Sequence, residues 1–508
     1  MTGPTQSILL PEWWDPARVF DTLYRNSPYA FWLDAGNGAE TGLSYLGSAS
    51  PGSRFVTASV PEGTVTVSVA GDPFVPGHPS PGTIFEFLRA EQAGFHDDAT
   101  EDTGTDDTGT DDTGADDAGG FRLGWVGWLG YELGAQTLGT PVHDSRYPDA
   151  ALLEVHHVLV FDHAARTVRA LARRASGDAT DAPQAWADAV LDALAASEQP
   201  PAASANRPVT WPAGSAAGPV AAAGVARWRH DVHRYAELIE ECQAFIRAGD
   251  AYQLCLTNEI LVDVRPHPVE AYLALRAGSP SHHGGLLRFG DTALLSASPE
   301  QFLTVTPGGL ITTKPIKGTR ARSRMADRDR ELRDELEGSG KERAENLMIV
   351  DLMRNDLGRI AELGSVQVTN LLAVESYAHV HQLVSTVEAR LAAGLTGVDA
   401  VASCFPAGSM TGAPKISAMT ILDALECGPR GLYAGAFGYL GRNGAVDLAM
   451  VIRSIVLSPD GASIGTGGGI TALSDPLEEI EETRLKAAAL LAVLGVPRSS
   501  AATGQGQV

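Results

Sequence analysis

The sequence predicts a large α+β fold, and three observations carry that reading. Short strand-like runs rich in aromatic and β-branched residues recur along the chain. Long stretches with helical spacing of apolar residues stand between blocks of such strands. The 508 residues are 44% hydrophobic and 20% charged, the balance of an ordinary globular protein large enough to bury extensive cores.

The elements follow in order. GFRLGWVGWLGYELG and ALLEVHHVLVFDHAARTVRALA read as strands with turn glycines. HRYAELIEECQAFIRAGDAYQ reads as a helix that ends near Gly249. CLTNEILVDV, GGLLRFGDTALLSAS and EQFLTVTPGGLITTKPI read as strands. A helical region then runs from about Met325 to Leu363 and breaks at the GSG of 338–340. GAPKISAMTILDALE forms the next helix, with Pro414 suited to its first turn. Strands return in GAFGYLGRNGAVDLAMVIRSIVLSPDGASIGTGGGI, and DPLEEIEETRLKAAALLAVLGV closes the chain as a helix.

Two stretches do not fit a packed core. Residues 97–117, DDATEDTGTDDTGTDDTGADD, are acidic and free of aromatics, so a disordered acidic insertion is expected at about 96–120. An Ala, Pro and Ser-rich linker is expected at about 197–223. The organisation expected is an N-terminal lobe over 1–222, a catalytic region over 223–496 and a flexible tail over 497–508.

Charge and composition exclude several classes. A net charge of -24 opposes binding to nucleic acid, although local basic groups can still hold a small anion. No run of about 18 apolar residues occurs, so no membrane span is expected. MTGPTQSILLPEWWDPARVF lacks a basic segment followed by an apolar one, so no secretory signal is expected either. Cys242, Cys255, Cys404 and Cys427 form no CxxC pair, which suits free thiols in a reducing cytoplasm.

Three clusters can carry chemistry. Glu342 and Glu345 lie three apart in one helix, and Glu479 and Glu482 lie three apart in another. Either pair alone is an ordinary solvated face; two such faces brought together would suit Mg²⁺. GTGGGI (465–470) is expected to be a loop whose successive N–H groups form an anion nest, and AGSMTGAPK (407–415) leads into a helix N-terminus. Neither matches a nucleotide-binding fingerprint. TKPIKGTRAR (313–322) places Lys317 beside a glycine; a nucleophilic role needs its amine out of water.

These stretches together resemble the chorismate-utilising enzymes, the family of anthranilate, aminodeoxychorismate and isochorismate synthases. The resemblance rests on SASPE (296–300), PIKGTRAR (315–322), AENLMIVDLMRNDLGRIAELGSV (344–366), FPAGSMTGAPKISAM (405–419), AGAFGYL (434–440), VIRS (451–454), GTGGGI and EETRLK (481–486), in family order. FWLDA (31–35) is similar to the family's first strand. The resemblance implies an α/β sandwich of curved sheets wrapped by helices, with the active site in a central cleft. It implies Glu345 and Glu482 as Mg²⁺ ligands, with Glu342 and Glu479 beside them. It implies Tyr433, Arg453 and the backbone of Gly467, Gly468 and Gly469 as holders of the enolpyruvyl carboxylate, with Lys486 helping to neutralise the site. Ser409 stands where relatives often have threonine, and Glu300 matches an acid near the departing hydroxyl. Where many relatives have a histidine, this chain has Gln382, with His381 one residue earlier. Neighbours on a strand face opposite sides, so the two do not simply exchange roles.

Members that make anthranilate read PIAGT, whereas those that aminate C4 read PIKGT, as here. The resemblance thus implies that Lys317 attacks C2 of chorismate and expels the C4 hydroxyl. Ammonia from a glutaminase partner then gives 4-amino-4-deoxychorismate, the precursor of p-aminobenzoate for folate or a specialised metabolite. Three alternatives stand beside this: release of pyruvate and anthranilate, addition of water at C2 as in isochorismate or salicylate synthases, and a non-catalytic binding subunit.

Overall fold

In the computed structural model the described residues are 5–70, 74–100, 120–173, 182–197, 224–377 and 380–497. Two twelve-stranded sheets form the fold, and all of their pairings are antiparallel. In the first, Tyr29–Asp34 and Leu43–Ser48 from the N-terminal part stand beside His283–Phe289 and Thr292–Ser298, followed by Ser454–Ser458, Gly461–Ile470 and Gln253–Val262. In the second, Gly124–Leu129 pairs with Ala436–Gly441, and Ile316–Ala321 lies at one edge against Val380–Arg390. Residues on both sides of the linker therefore supply strands to both sheets. The boundary at 222/223 divides the sequence, not the sheets.

The sheets face each other through one apolar layer. Phe31, Leu33 and Tyr45 of the first meet Val126, Trp128 and Phe437 of the second. The approach is close: a Cβ on Gly285 would stand 2.5 Å from the Phe437 ring. Helices cover the outer faces. Pro16–Tyr24, Ala182–Ala196, Pro268–Gly278 and Pro476–Val493 close a second core over the first sheet. Ile84–Thr100, Gly340–Gly358 and Gly397–Cys404 close a third over the other. Burial of these apolar layers is the main stabilising term. The sandwich wrapped by helices is thus the architecture found.

Several sequence expectations change at their edges. Val232–Ala248 ends at Gly249 in the left-handed region, as the glycine suggested. The long helical region breaks between Ala326–Gly338 and Gly340–Gly358. Pro414 is the N-cap residue of Lys415–Glu426 and not part of its first turn; its extended backbone precedes the helix. GTGGGI is not a loop but the last part of the strand Gly461–Ile470, held in register against Gln253–Val262. Of the acidic stretch, 97–100 complete the helix Ile84–Thr100, because helical pairing begun by its apolar first turns continues through them. The remainder, 101–117, lies outside the described residues, as do 198–223 of the linker and 498–508 of the tail. Among the described residues, no helix is long and apolar enough to cross a membrane.

Candidate active site

A cavity of about 610 Å³ opens where the first sheet is incomplete. Ser454–Ser458 pairs with Gly461–Ile470 only from Gly461 to Ser463, so the glycine-rich end keeps one free edge. On its other side that end pairs with Gln253–Val262, Gly467 opposite Thr257 and Gly469 opposite Cys255. Thr257 gives its N–H to Glu426 and Cys255 gives its own to Thr411, both away from the glycines. In an antiparallel ladder this parity turns the N–H groups of Gly465, Gly467 and Gly469 to the free edge. Alternate amides, not the successive ones of a nest, therefore face the cavity. Side chains are excluded here by contact: a Cβ on Gly465 would lie 2.0 Å from Cγ of Tyr433, and one on Gly469 2.1 Å from Nε2 of Gln253.

Lys317 enters from the second sheet. The pairing of Ile316–Ala321 with Val380–Arg390 slips between Ile316 and Thr319, a bulge that re-aims the side chain between them. Gly318 has φ +83°, and a Cβ there would meet Leu336 at 2.7 Å and Glu342 at 2.8 Å. The lysine–glycine pair of PIKGT is thus a local geometric unit: glycine permits the bulge, and the bulge points lysine into the cavity. Lys317 has no hydrogen bond or ion pair among the described residues, yet its charge is felt by Glu300, Glu345 and Glu482.

The helices Gly340–Gly358 and Pro476–Val493 carry the carboxylates. Glu342, Glu345, Glu479 and Glu482 all line the cavity, as do Glu300, Ser409, Tyr433, Arg453, Gly467, Gly468, Gly469 and Lys486. Every site residue expected from the sequence is therefore brought to one place. Of AGSMTGAPK, only Ser409 and Met410 reach it; the helix N-terminus itself does not. His381 points away and binds Ser376 at 2.8 Å and Asp329 at 3.1 Å, while Gln382 lines the cavity.

Cations are interleaved with the acids. Arg320 holds Glu342 at 2.8 Å, Lys341 lies 3.6 Å from Glu479, and Lys486 lies 2.7 Å from Glu482. Lys486 also donates to the Gly467 carbonyl at 2.8 Å. Burial raises the carboxyl of Glu345, opposed by Lys317 and Lys341 and reinforced by Glu479 and Glu482. Burial would raise Glu482 too, but Lys486, with Lys341 and Lys317, outweighs it and the carboxyl titrates below its ordinary value. Glu300 is raised by burial against the pull of Lys317, the Ser409 hydroxyl and Lys486, which favours a protonated acid beside Lys317. Burial lowers Arg453. Its backbone is held at φ +51°, a strained state for arginine, and among the described residues its guanidinium makes one hydrogen bond, to the Lys486 carbonyl at 3.4 Å. Its guanidinium fork is largely uncommitted and suited to a carboxylate.

Among the described residues, no three His, Cys, Asp or Glu side chains stand close enough to enclose a metal by themselves. The donor set still fits Mg²⁺, which takes one or two carboxylates and keeps its waters. Among the described residues Glu345 makes no ion pair and faces Glu479 and Glu482 across the cleft, whereas Glu342 is committed to Arg320. Arg320, Lys341 and Cys255 are cavity residues that sequence reasoning did not single out. Arg320 was visible as part of PIKGTRAR, and Lys341 as the residue before Glu342.

The family model described as chorismate binding enzyme matches residues 82–492. The chain is 44% identical over 491 residues to an aminodeoxychorismate synthase of Streptomyces griseus, covering 96% of this chain and 63% of that protein. It is 40% identical over 486 residues to an aminodeoxychorismate synthase of Streptomyces pristinaespiralis, covering 94% and 64%. It thus spans somewhat under two thirds of the length of these relatives. Among solved structures it is similar to anthranilate synthase component I of Streptococcus pneumoniae TIGR4, with a TM-score of 0.69 and 27% identity, covering 95% of this chain and 99% of that one.

Proposed function

The chain belongs to the chorismate binding enzymes, and from that premise we propose that it aminates chorismate at C4 to give 4-amino-4-deoxychorismate, the precursor of p-aminobenzoate. The observation that carries the reading is Lys317, aimed by the bulge into the same cavity as Glu300 and Arg453. The names of the two Streptomyces relatives favour the same reaction.

The steps balance as follows. The Lys317 amine bonds to C2, the ring double bonds shift, and the C4–O bond breaks. Glu300 gives the departing hydroxyl its proton, so water leaves. Ammonia then bonds to C4, the double bonds shift back, the C2–N bond breaks with its electron pair returning to the Lys317 nitrogen, and a proton of the new C4 ammonium restores Glu300. The enolpyruvyl group is kept throughout. Arg453 and the edge amides of Gly467 and Gly469 hold the enolpyruvyl carboxylate, and Ser409 orients Glu300. Tyr433 closes the wall behind Gly465. Mg²⁺ held by Glu345 and Glu482, with Glu479 and Glu342 beside them, would supply a cationic anchor for the ring carboxylate.

Ammonia requires a source, because most of it is ammonium near neutral pH. Cys242, Cys255 and Cys404 are buried, and burial raises the thiol of each, that of Cys404 to about 12. These are poor nucleophiles for glutamine hydrolysis, and the exposed Cys427 gives its thiol hydrogen to the Ala424 carbonyl at the end of Lys415–Glu426, outside the cavity. We therefore place a separate glutamine-hydrolysing partner beside this chain, in a cytoplasm where its four cysteines stay unpaired.

The test is turnover of chorismate with Mg²⁺ and an ammonium salt, with product mass and pyruvate both measured. Aminodeoxychorismate without pyruvate is the expected result. Stoichiometric pyruvate with anthranilate would overturn the C4 assignment.

A further inference from the structure

We infer that Lys341 is a built-in competitor for the dication: its ammonium bridges the two glutamate-bearing helices when no metal is bound, and metal entry displaces it. This rests on the Mg²⁺ reading above and concerns how that site is regulated.

Lys341 is the second residue of the helix Gly340–Gly358, whose N-cap Ser339 makes no side-chain capping bond. A cation in a first turn opposes the helix dipole, so its placement needs another source of favourable energy. That source is across the cleft. The ammonium lies 3.6 Å from Glu479 on Pro476–Val493. Glu345 and Glu482 line the same cavity as this pair. The same three carboxylates face the proposed metal position.

The two ends of the bridge differ in freedom. The Glu479 side chain is 5% exposed and fixed, whereas that of Lys341 is 57% exposed. A buried carboxylate requires a counter-charge, and here the counter-charge sits on an arm able to swing out. An ammonium and a dication cannot share one set of carboxylates without strong repulsion. Arg320 and Lys486 are different, because each also bonds elsewhere: Arg320 to Glu335 at 3.0 Å and Lys486 to Gly467. Of the three cations ion-paired to these helix glutamates, Lys341 is thus the one most readily released.

The test uses the full chain in ammonium-free buffer. Mg²⁺ is titrated calorimetrically with and without chorismate, and thermal melting is followed in chelator and in saturating Mg²⁺. Lys341→Gln should bind Mg²⁺ roughly three- to tenfold more tightly than wild type. It should also melt lower in chelator, with the gap closing as Mg²⁺ saturates. Lys341→Arg, which keeps the charge, should stay near wild type in both readouts. Equal or weaker Mg²⁺ binding by Lys341→Gln overturns the competition while leaving the metal reading intact. A wild-type chain that takes up no Mg²⁺ under either condition sinks the metal reading, and this inference with it.

Discussion

The ammonium of Lys486 stands 2.7 Å from the Glu482 carboxylate, one helical turn away, and donates at 2.8 Å to the carbonyl of Gly467. One side chain therefore ties the last helix to the free edge of the glycine strand. Lys486→Ala should release that edge and let the Glu482 carboxyl rise, since Lys486, ahead of Lys341 and Lys317, opposes the effect of burial on it. The expected result is a KM for chorismate raised about tenfold, the scale of one lost charge-assisted bond. Steady-state kinetics at fixed Mg²⁺ check this, and an unchanged KM removes Lys486 from the binding edge.

Of the four helix glutamates, Glu345 alone has no ion-pair partner among the described residues, while standing among Lys317, Lys341, Glu479 and Glu482. Glu345→Gln keeps its size and removes one negative ligand. The Mg²⁺ concentration giving half-maximal turnover should rise by roughly 10- to 100-fold. A variant with the wild-type Mg²⁺ dependence would remove Glu345 from the metal set.

How much of this was legible in the sequence depends on range. Helices were readable because the spacing that buries an apolar stripe is local, and Gly249 marks its own helix end. The grouping of site residues came from resemblance; spacing alone left Glu342 and Glu345 an ordinary helix face. Strand partners were not readable. Gly124–Leu129 pairs with Ala436–Gly441 and Tyr29–Asp34 with His283–Phe289, and no local pattern names a partner so far along the chain. GTGGGI is a strand and not the loop its glycines suggest, because they answer to neighbours rather than to turns. The Tyr433 ring and Gln253 occupy the space that side chains at Gly465 and Gly469 would need. Arg320 and Lys341 were missed because a basic residue near a helix start carries no signal of what lies across a cleft.

Glu132 gives a pH prediction. Its buried carboxyl accepts from the N–H groups of Arg430 at 2.8 Å and Gly431 at 3.3 Å through one oxygen, and the other oxygen has no partner. Burial raises it to about 8 from an ordinary 4.5, with nearby Asp149 adding to the shift. Between those values the folded chain holds a proton that the unfolded chain has released. Stability from this group is therefore fully present below the ordinary value and is lost as pH rises through about 8. Glu132→Gln imitates the protonated form and should flatten this dependence. Melting curves from pH 5 to pH 9 should show wild type losing on the order of 1–3 kcal/mol relative to the variant. Parallel curves would show that Glu132 is ionised in the fold.

Lys317 decides the reaction. It reaches the cavity only because the strand slips at Ile316–Thr319 and Gly318 accepts φ +83°. Removing its side chain leaves that backbone intact, so Lys317→Ala should fold normally and still bind chorismate. It should lose at least about a hundredfold in aminodeoxychorismate formation, because the two easier displacements become one hard one. The vacated space lies beside C2, so a trace of water or ammonia addition at that carbon is expected. Lys317→Arg should not restore the rate: a guanidinium keeps its proton and is too large and delocalised to act as the nucleophile. Mass spectrometry adds an independent readout. Wild type quenched after incubation with chorismate and Mg²⁺ but no ammonium should carry the mass of the ring adduct on the peptide containing Lys317, and Lys317→Ala should not. Near wild-type aminodeoxychorismate formation by Lys317→Ala would end the covalent assignment. Loss of turnover with no adduct in wild type would reduce Lys317 to an electrostatic role beside Glu300.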